Sequence, residues 1–221
     1  MSATSSLRAV GSWLADRARD ILYGILVVLF WPLVMALFRL SVRGRSHLRT
    51  RGILVAPHRS YWDILVLGVA CGPVRRITFL AREGLLRHPV FAPFVWGFAV
   101  AIDREAFGVR DFRRALAAAS RAKLVGIFPQ GTTRPGAHPK SGAIRFAERL
   151  DRPLIPVNIV ARGPYPPARF FNIPLRFPRL EVRIGPPVTV DELGRDLPSS
   201  LPRSDRYHLL TEQLMGVIHA A

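Results

Sequence analysis

The chain has 221 residues and a mass of 24.7 kDa, enough to bury a core without disulfide or metal staples and suited to one domain with an appendage. With 49% hydrophobic and 21% charged residues, it is too apolar for a disordered chain. Its 32 Lys and Arg against 15 Asp and Glu give a net charge of +17, which excludes an acidic surface and favours phosphate-rich partners: nucleic acid, anionic lipid, or an acidic substrate carrier. Cys71 is the single cysteine, so no intrachain disulfide forms. The six histidines are scattered with no HxxxH or CxxC pair, so no metal site is expected.

Residues Ile21 to Phe38 form an uncharged run of 18 positions, about 27 Å long as one helix and at the short end of what crosses a bilayer. Pro32 lies inside the run and is expected to kink or break it. A kinked helix pair embedded in one leaflet is therefore the favoured anchor, ahead of a clean crossing or a buried core helix. Arg39, Arg43, Arg45, Arg49 and Arg51 follow the run with no acid among them, while Arg8, Arg17 and Arg19 before it are nearly balanced by Asp16 and Asp20. The positive-inside tendency then puts the bulk of the chain in the cytoplasm. This divides the chain into a membrane-anchoring segment, residues 1–42, and an α/β domain, residues 43–221.

Beyond Gly52, short apolar runs alternate with amphipathic ones. Strands are predicted at Ile53–Ala56, Ile77–Ala81, Ala99–Ile102, Leu124–Phe128, Leu154–Val160 and Leu180–Ile184, and helices at Tyr61–Ala70, Val109–Ser120, Gly142–Leu150 and Arg203–Ile218. In the helix from Val109, the positions Val109, Phe112, Leu116 and Ala119 share one face. The alternation predicts an α/β fold: a mixed, largely buried sheet flanked by helices.

Four segments carry chemistry. Ala56-Pro57-His58-Arg59-Ser60-Tyr61-Trp62-Asp63 lies between a buried strand and a helix, where α/β proteins place reactive groups. Asp63 in the first helical turn is positioned to reach back to His58, giving an oriented general base. Ser60-x-x-Asp63 is also an ordinary capping box, which would explain the acid without catalysis. Phe128-Pro129-Gln130-Gly131-Thr132-Thr133-Arg134-Pro135-Gly136 follows another buried strand. Its glycines, hydroxyls and guanidinium, with Lys140 and a helix start nearby, suit a phosphate cradle or a plain surface turn. Ala101-Ile102-Asp103-Arg104 ends an apolar run, and Ile155-Pro156-Val157 opens an interior strand.

In this order, the four segments resemble the glycerolipid acyltransferase family typified by 1-acyl-sn-glycerol-3-phosphate acyltransferases. That family shows His-x4-Asp, a Gly-rich stretch ending in Ile/Val-Asp-Arg, then Phe-Pro-Glu-Gly-Thr-Arg, then a Val/Ile-Pro-Val strand. The counterparts here are His58…Asp63, Gly97…Ile102-Asp103-Arg104, Phe128-Pro129-Gln130-Gly131-Thr132 and Ile155-Pro156-Val157, with Lys140-Ser141-Gly142-Ala143 similar to the family's Lys-x-Gly-Ala. The resemblance covers roughly residues 40 to 190. It departs at Gln130, which replaces Glu, and at Thr133, where many members carry Arg; both bear on acceptor identity.

The resemblance implies a membrane-bound O-acyltransferase facing the cytoplasm. The acyl group would pass from acyl-CoA or acyl carrier protein to the hydroxyl of a lysophospholipid, with 1-acyl-sn-glycerol-3-phosphate the first choice and another lyso-lipid the alternative. His58 is the expected base and Asp63 its orienting acid. Arg104, Gln130, Gly131, Thr132, Thr133, Arg134 and Lys140 are the expected substrate-binding residues. The apolar residues from Pro89 to Phe98 are either a groove for the acyl chain or core. No cofactor, metal or nucleic acid is implied beyond the acyl donor and an anionic membrane surface. Two rival readings are a serine esterase using Ser60, which lacks a Gly-x-Ser-x-Gly elbow, and a non-catalytic basic protein bound to anionic membranes.

Overall fold

A computed structural model describes residues 3–87, 92–102, 108–168 and 176–221. Its strands are β1 (Ser41–Arg43), β2 (Gly52–Val55), β3 (Ile77–Arg82), β4 (Ala99–Ile102), β5 (Leu124–Ile127), β6 (Leu154–Arg162) and β7 (Arg179–Ile184). They join in one sheet, ordered β1-β7-β6-β2-β5-β3-β4. Strands β6, β2, β5, β3 and β4 run parallel, β7 is antiparallel to β6, and β1 pairs parallel to β7. The parallel strands therefore all end on one edge of the sheet. Strand β1 was not expected from the sequence, being three residues long and too short for a periodic signal.

The α-helices are α1 (Ala3–Phe38), α2 (Trp62–Cys71), α3 (Ala92–Phe98), α4 (Val109–Arg121), α5 (Gly142–Leu150), α6 (Val190–Leu193) and α7 (Arg203–Ala220), with short 3₁₀ turns at Arg45–Arg49 and Glu83–Arg87. Alternate residues of β2 feed two cores, as parallel strands buried on both faces must. Leu54 joins Val34, Phe38, Val66, Leu67 and Ala70 on the α1–α2 face. Ile53 and Val55 join Ala115, Ile144, Phe146, Leu210 and Leu214 on the α4–α5–α7 face. The expected mixed sheet flanked by helices is the fold observed. Within α4 the buried positions are Ala115 and Ala119, whereas Val109, the first residue of the helix, is 69% exposed.

The expected break at Pro32 does not occur. Helix α1 runs unbroken for 36 residues with Pro32 inside it, about 54 Å at 1.5 Å per residue. Packing holds it on both sides of the proline. Val34 and Phe38 beyond it are fully buried, as are Tyr23 and Val27 before it to within 7%. Tyr23 meets Phe98 edge-on at 5.6 Å, so Phe98, at the end of the expected acyl groove, is core. Asp16 and Asp20 pair with Arg76 at 3.6 and 2.6 Å, tying the helix to the start of β3. The other side of α1 is apolar and open: Trp13, Ile21, Ile25, Val28, Leu29 and Trp31 are 48–66% exposed. The stretch Trp13–Phe38 is long and apolar enough to cross a membrane.

Candidate active site

Strands β2 and β5 are neighbours, so the segments that follow them meet at the sheet edge where the parallel strands end. His58 Nδ1 lies 3.2 Å from Asp63 Oδ2. The same carboxylate oxygen accepts the backbone N–H groups of Arg59 and Ser60, both at 2.8 Å. It is thus an acceptor on every side, and His58 Nδ1 must donate, leaving Nε2 with its lone pair. Asp63 is 2% exposed. The carboxylate that meets the imidazole also takes the Ser60 N–H before α2, but the full capping box does not form, because the Asp63 N–H goes to the Ser60 carbonyl and Ser60 Oγ takes the Trp62 N–H instead.

A run of aromatic rings fixes the flank of His58. Phe79 of β3 stacks on Phe128 with centroids 5.8 Å apart, and Phe128 stacks on His58 at 4.1 Å. Gly126 of β5 makes the first contact possible, since a Cβ there would lie 2.5 Å from two Phe79 ring carbons. A small residue two positions before Phe128 thereby brings the second motif against the first.

Ser60 is structural. Its side chain is fully buried, and its Oγ donates to the Pro167 carbonyl at 2.5 Å and accepts the Trp62 N–H at 3.2 Å. A hydroxyl so placed has no access to a substrate carbonyl, which removes the esterase reading.

The remaining expected substrate-binding residues lie along the segment after β5. Gly131, at φ +64°, closes a turn by donating its N–H to the Phe128 carbonyl at 2.9 Å; a left-handed residue there favours glycine. Gln130 is half-buried, and its Oε1 is enclosed with no hydrogen-bond partner among the described residues, an uncommon state for a native polar atom. Thr132 and Thr133 are half-buried, and Thr132 Oγ1 accepts the Arg134 N–H at 3.3 Å. Arg134 and Lys140 are exposed. The Lys140 backbone N–H returns to the Pro129 carbonyl at 2.9 Å, which folds the segment back before α5. Asp103 and Arg104 lie outside the described residues, as does Pro89; β4, which leads to Arg104, ends on the same sheet edge. Among the described residues, no three His, Cys, Asp or Glu side chains gather where a metal ion could be held.

Sequence reasoning missed the segment after β6. Tyr165 Oη donates to Asp63 Oδ1 at 2.6 Å, the oxygen that His58 does not use. The Arg59 guanidinium lies over the Tyr165 ring at 3.9 Å and donates to the Ile159 carbonyl. Burial, and then the nearby Asp63 charge, raise the Tyr165 phenol above its ordinary range, so it remains a donor at neutral pH. The one local signal is the run Gly163-Pro164-Tyr165-Pro166-Pro167, whose prolines fix φ around the tyrosine.

A family model described as Acyltransferase matches residues 39–160. A 1-acyl-sn-glycerol-3-phosphate acyltransferase of Bacillus subtilis (strain 168) is 26% identical over 164 residues, which are 73% of this chain and 76% of that protein. One of Streptococcus pneumoniae is 28% identical over 149 residues, 62% of this chain and 52% of that protein. In fold, the chain is similar to the crystal structure of the 1-acyl-sn-glycerophosphate acyltransferase PlsC of Thermotoga maritima, with a TM-score of 0.61 over 93% of this chain and 82% of that one at 20% identity. That likeness speaks for the architecture alone. Since the family model spans more than half of its residues, the chain belongs to the acyltransferase family and is an acyl-transferring enzyme.

Proposed function

We propose that this acyltransferase esterifies the free hydroxyl of a lysophospholipid, 1-acyl-sn-glycerol-3-phosphate first among them, using a fatty acyl thioester of coenzyme A or acyl carrier protein. The observation that carries this reading is the buried Asp63 holding the His58 imidazole with Nε2 free, at a sheet edge shared with a polar, glycine-containing turn. The names of the relatives from B. subtilis and S. pneumoniae support the same acceptor.

His58 Nε2 takes the acceptor's hydroxyl proton as the oxygen attacks the thioester carbonyl carbon. The new C–O bond forms, the C–S bond breaks, and the departing thiolate takes the proton back from the imidazolium. Asp63 holds the tautomer and stabilises the charged ring in between. No covalent acyl-enzyme is required. Arg134 and Lys140, with Arg104, are assigned to the acceptor's phosphate, and Gly131 and Thr132 to hydrogen bonds with it. Gln130 and Thr133 border the same head group.

Attachment to an anionic membrane is part of the proposal. The open apolar side of α1 suits burial in one leaflet, at about 0.8 kcal/mol per buried CH₂. The helix is packed on α2 and α3 from Tyr23 to Phe38, which favours lying along the surface over crossing it. Helix α1 then acts as the anchor, and the sheet domain, which begins with β1 inside the expected 1–42 segment, carries the chemistry on the cytoplasmic side.

The test is purified protein in anionic vesicles with one labelled acyl donor and a panel of lyso-lipids. Transfer to lysophosphatidate above all others is expected. Release of free fatty acid without transfer would overturn the reading, and transfer confined to a different lyso-lipid would relocate the acceptor.

A further inference from the structure

We propose that Tyr165 is a positioning residue of the His58–Asp63 pair, clamping the second oxygen of the acid so that the first is held for the imidazole. The proposal rests on the acyl-transfer reading above. Three observations carry it together.

The first is the division of labour on the carboxylate. Oδ2 receives His58 and two backbone N–H groups, and Oδ1 receives the Tyr165 hydroxyl. Two fixed oxygens leave Asp63 no freedom to rotate about its last torsion, and a buried carboxylate with an unmet oxygen would be unstable. The second is that the tyrosine is itself braced. Arg59 covers its ring at 3.9 Å and is anchored to β6 through Ile159. The third is that the whole proline-bounded segment is laced to the His58–Asp63 loop. Besides the Tyr165 bond, Ser60 Oγ bonds the Pro167 carbonyl at 2.5 Å and the Tyr61 N–H bonds the Ala168 carbonyl at 3.1 Å. Proline on both sides of Tyr165 restricts the chain before these bonds form, which lowers the entropy lost in forming them.

The consequence is electrostatic as well as steric. A hydroxyl donating to Asp63 draws off part of the negative charge that His58 feels. Without it the imidazolium is favoured, so His58 loses its proton at higher pH and the base is available later in a pH titration. Among the described residues, the groups around His58 are Asp63 and Tyr61 from its own loop and α2, the apolar Phe128 from the β5 side, and Tyr165 through Asp63. The positive charges in these segments are Arg59, over the Tyr165 ring, and the exposed Arg134 and Lys140.

The experiment is Tyr165→Phe, alone and with Asp63→Asn, in vesicle assays and in a ¹H–¹³C NMR titration of His58. The Phe ring keeps the contact with Arg59. We expect kcat to fall about tenfold, the value of one hydrogen bond to a charged group, with acceptor KM unchanged. The acid limb of kcat/KM and the His58 titration should move to higher pH together. In the Asp63→Asn background, Tyr165→Phe should cost little more, because its effect passes through the acid. Replacing Tyr165 site-specifically by difluorotyrosine, a stronger donor of the same shape, should move the His58 titration the opposite way. An unmoved titration in both variants, or a full additional loss in the Asp63→Asn background, would overturn the proposal. A shifted titration in a protein that transfers no acyl group would leave the positioning role standing and sink the reaction instead.

Discussion

The two loops that meet at the sheet edge are built in opposite ways. In the His58–Asp63 loop the acid and the buried hydroxyl are fully engaged: Asp63 takes four donors, and Ser60 both donates and accepts. In the loop after β5, Gln130 Oε1 is enclosed with no partner among the described residues, and Arg134 and Lys140 extend to solvent. The difference matches the two tasks proposed for these loops. A proton-transferring pair must be in position before substrate arrives, whereas a recognition loop keeps its hydrogen-bonding capacity for the ligand. The Phe128 ring, stacked on His58, joins the two.

If the first loop is preorganised for chemistry, Asp63→Asn should strike turnover nearly as hard as loss of His58 itself. The amide presents an N–H group to a site full of donors and favours the wrong His58 tautomer, so kcat should fall by about two to four orders of magnitude with acceptor KM little changed. Steady-state kinetics of a variant verified as folded by circular dichroism would check this; a large KM effect with intact kcat would merge the two loops into one role.

Gly126→Ala attacks the joint between the loops. Its Cβ would lie 2.5 Å from the Phe79 ring, and overpacking of this kind costs about 1–3 kcal/mol. Thermal melts should show a lower Tm, and turnover should fall as Phe128 is displaced from His58. A stable variant with normal kcat would mean that the stack does not hold the imidazole.

Smaller effects are expected in the recognition loop. Arg134→Ala and Lys140→Ala remove exposed charges, so each should raise the KM of a phosphorylated acceptor only about two- to fivefold, with kcat intact. High salt should mimic both. Gln130→Glu should change little for a single acceptor but reorder the acceptor panel; an unchanged order would mean that the position does not read the head group.

The legible parts of this molecule are local in sequence. His58 and Asp63 are five positions apart on a strand–helix junction, and Phe128 to Thr132 is contiguous; each pattern alone also fits a capping box or a surface turn, and their order along the chain is what singles them out. The strands were legible for the same reason, as short apolar runs between turns. Tyr165 was not, because its partner lies 102 positions away and a tyrosine between prolines reads as surface loop. Pro32 misled because the local rule for proline was overruled by the packing of Val34 and Phe38 beyond it. Val109 fits its helical face by periodicity, yet as the first residue of α4 it stays exposed.

The central claim is that His58 acts as the base for acyl transfer, and His58→Ala in anionic vesicles tests it most directly. With labelled acyl donor and lysophosphatidate, the account predicts transfer reduced by about two to four orders of magnitude in a protein whose melting and membrane retention match the parent. Transfer within a few-fold of the parent, by a folded and membrane-bound His58→Ala protein, would contradict it.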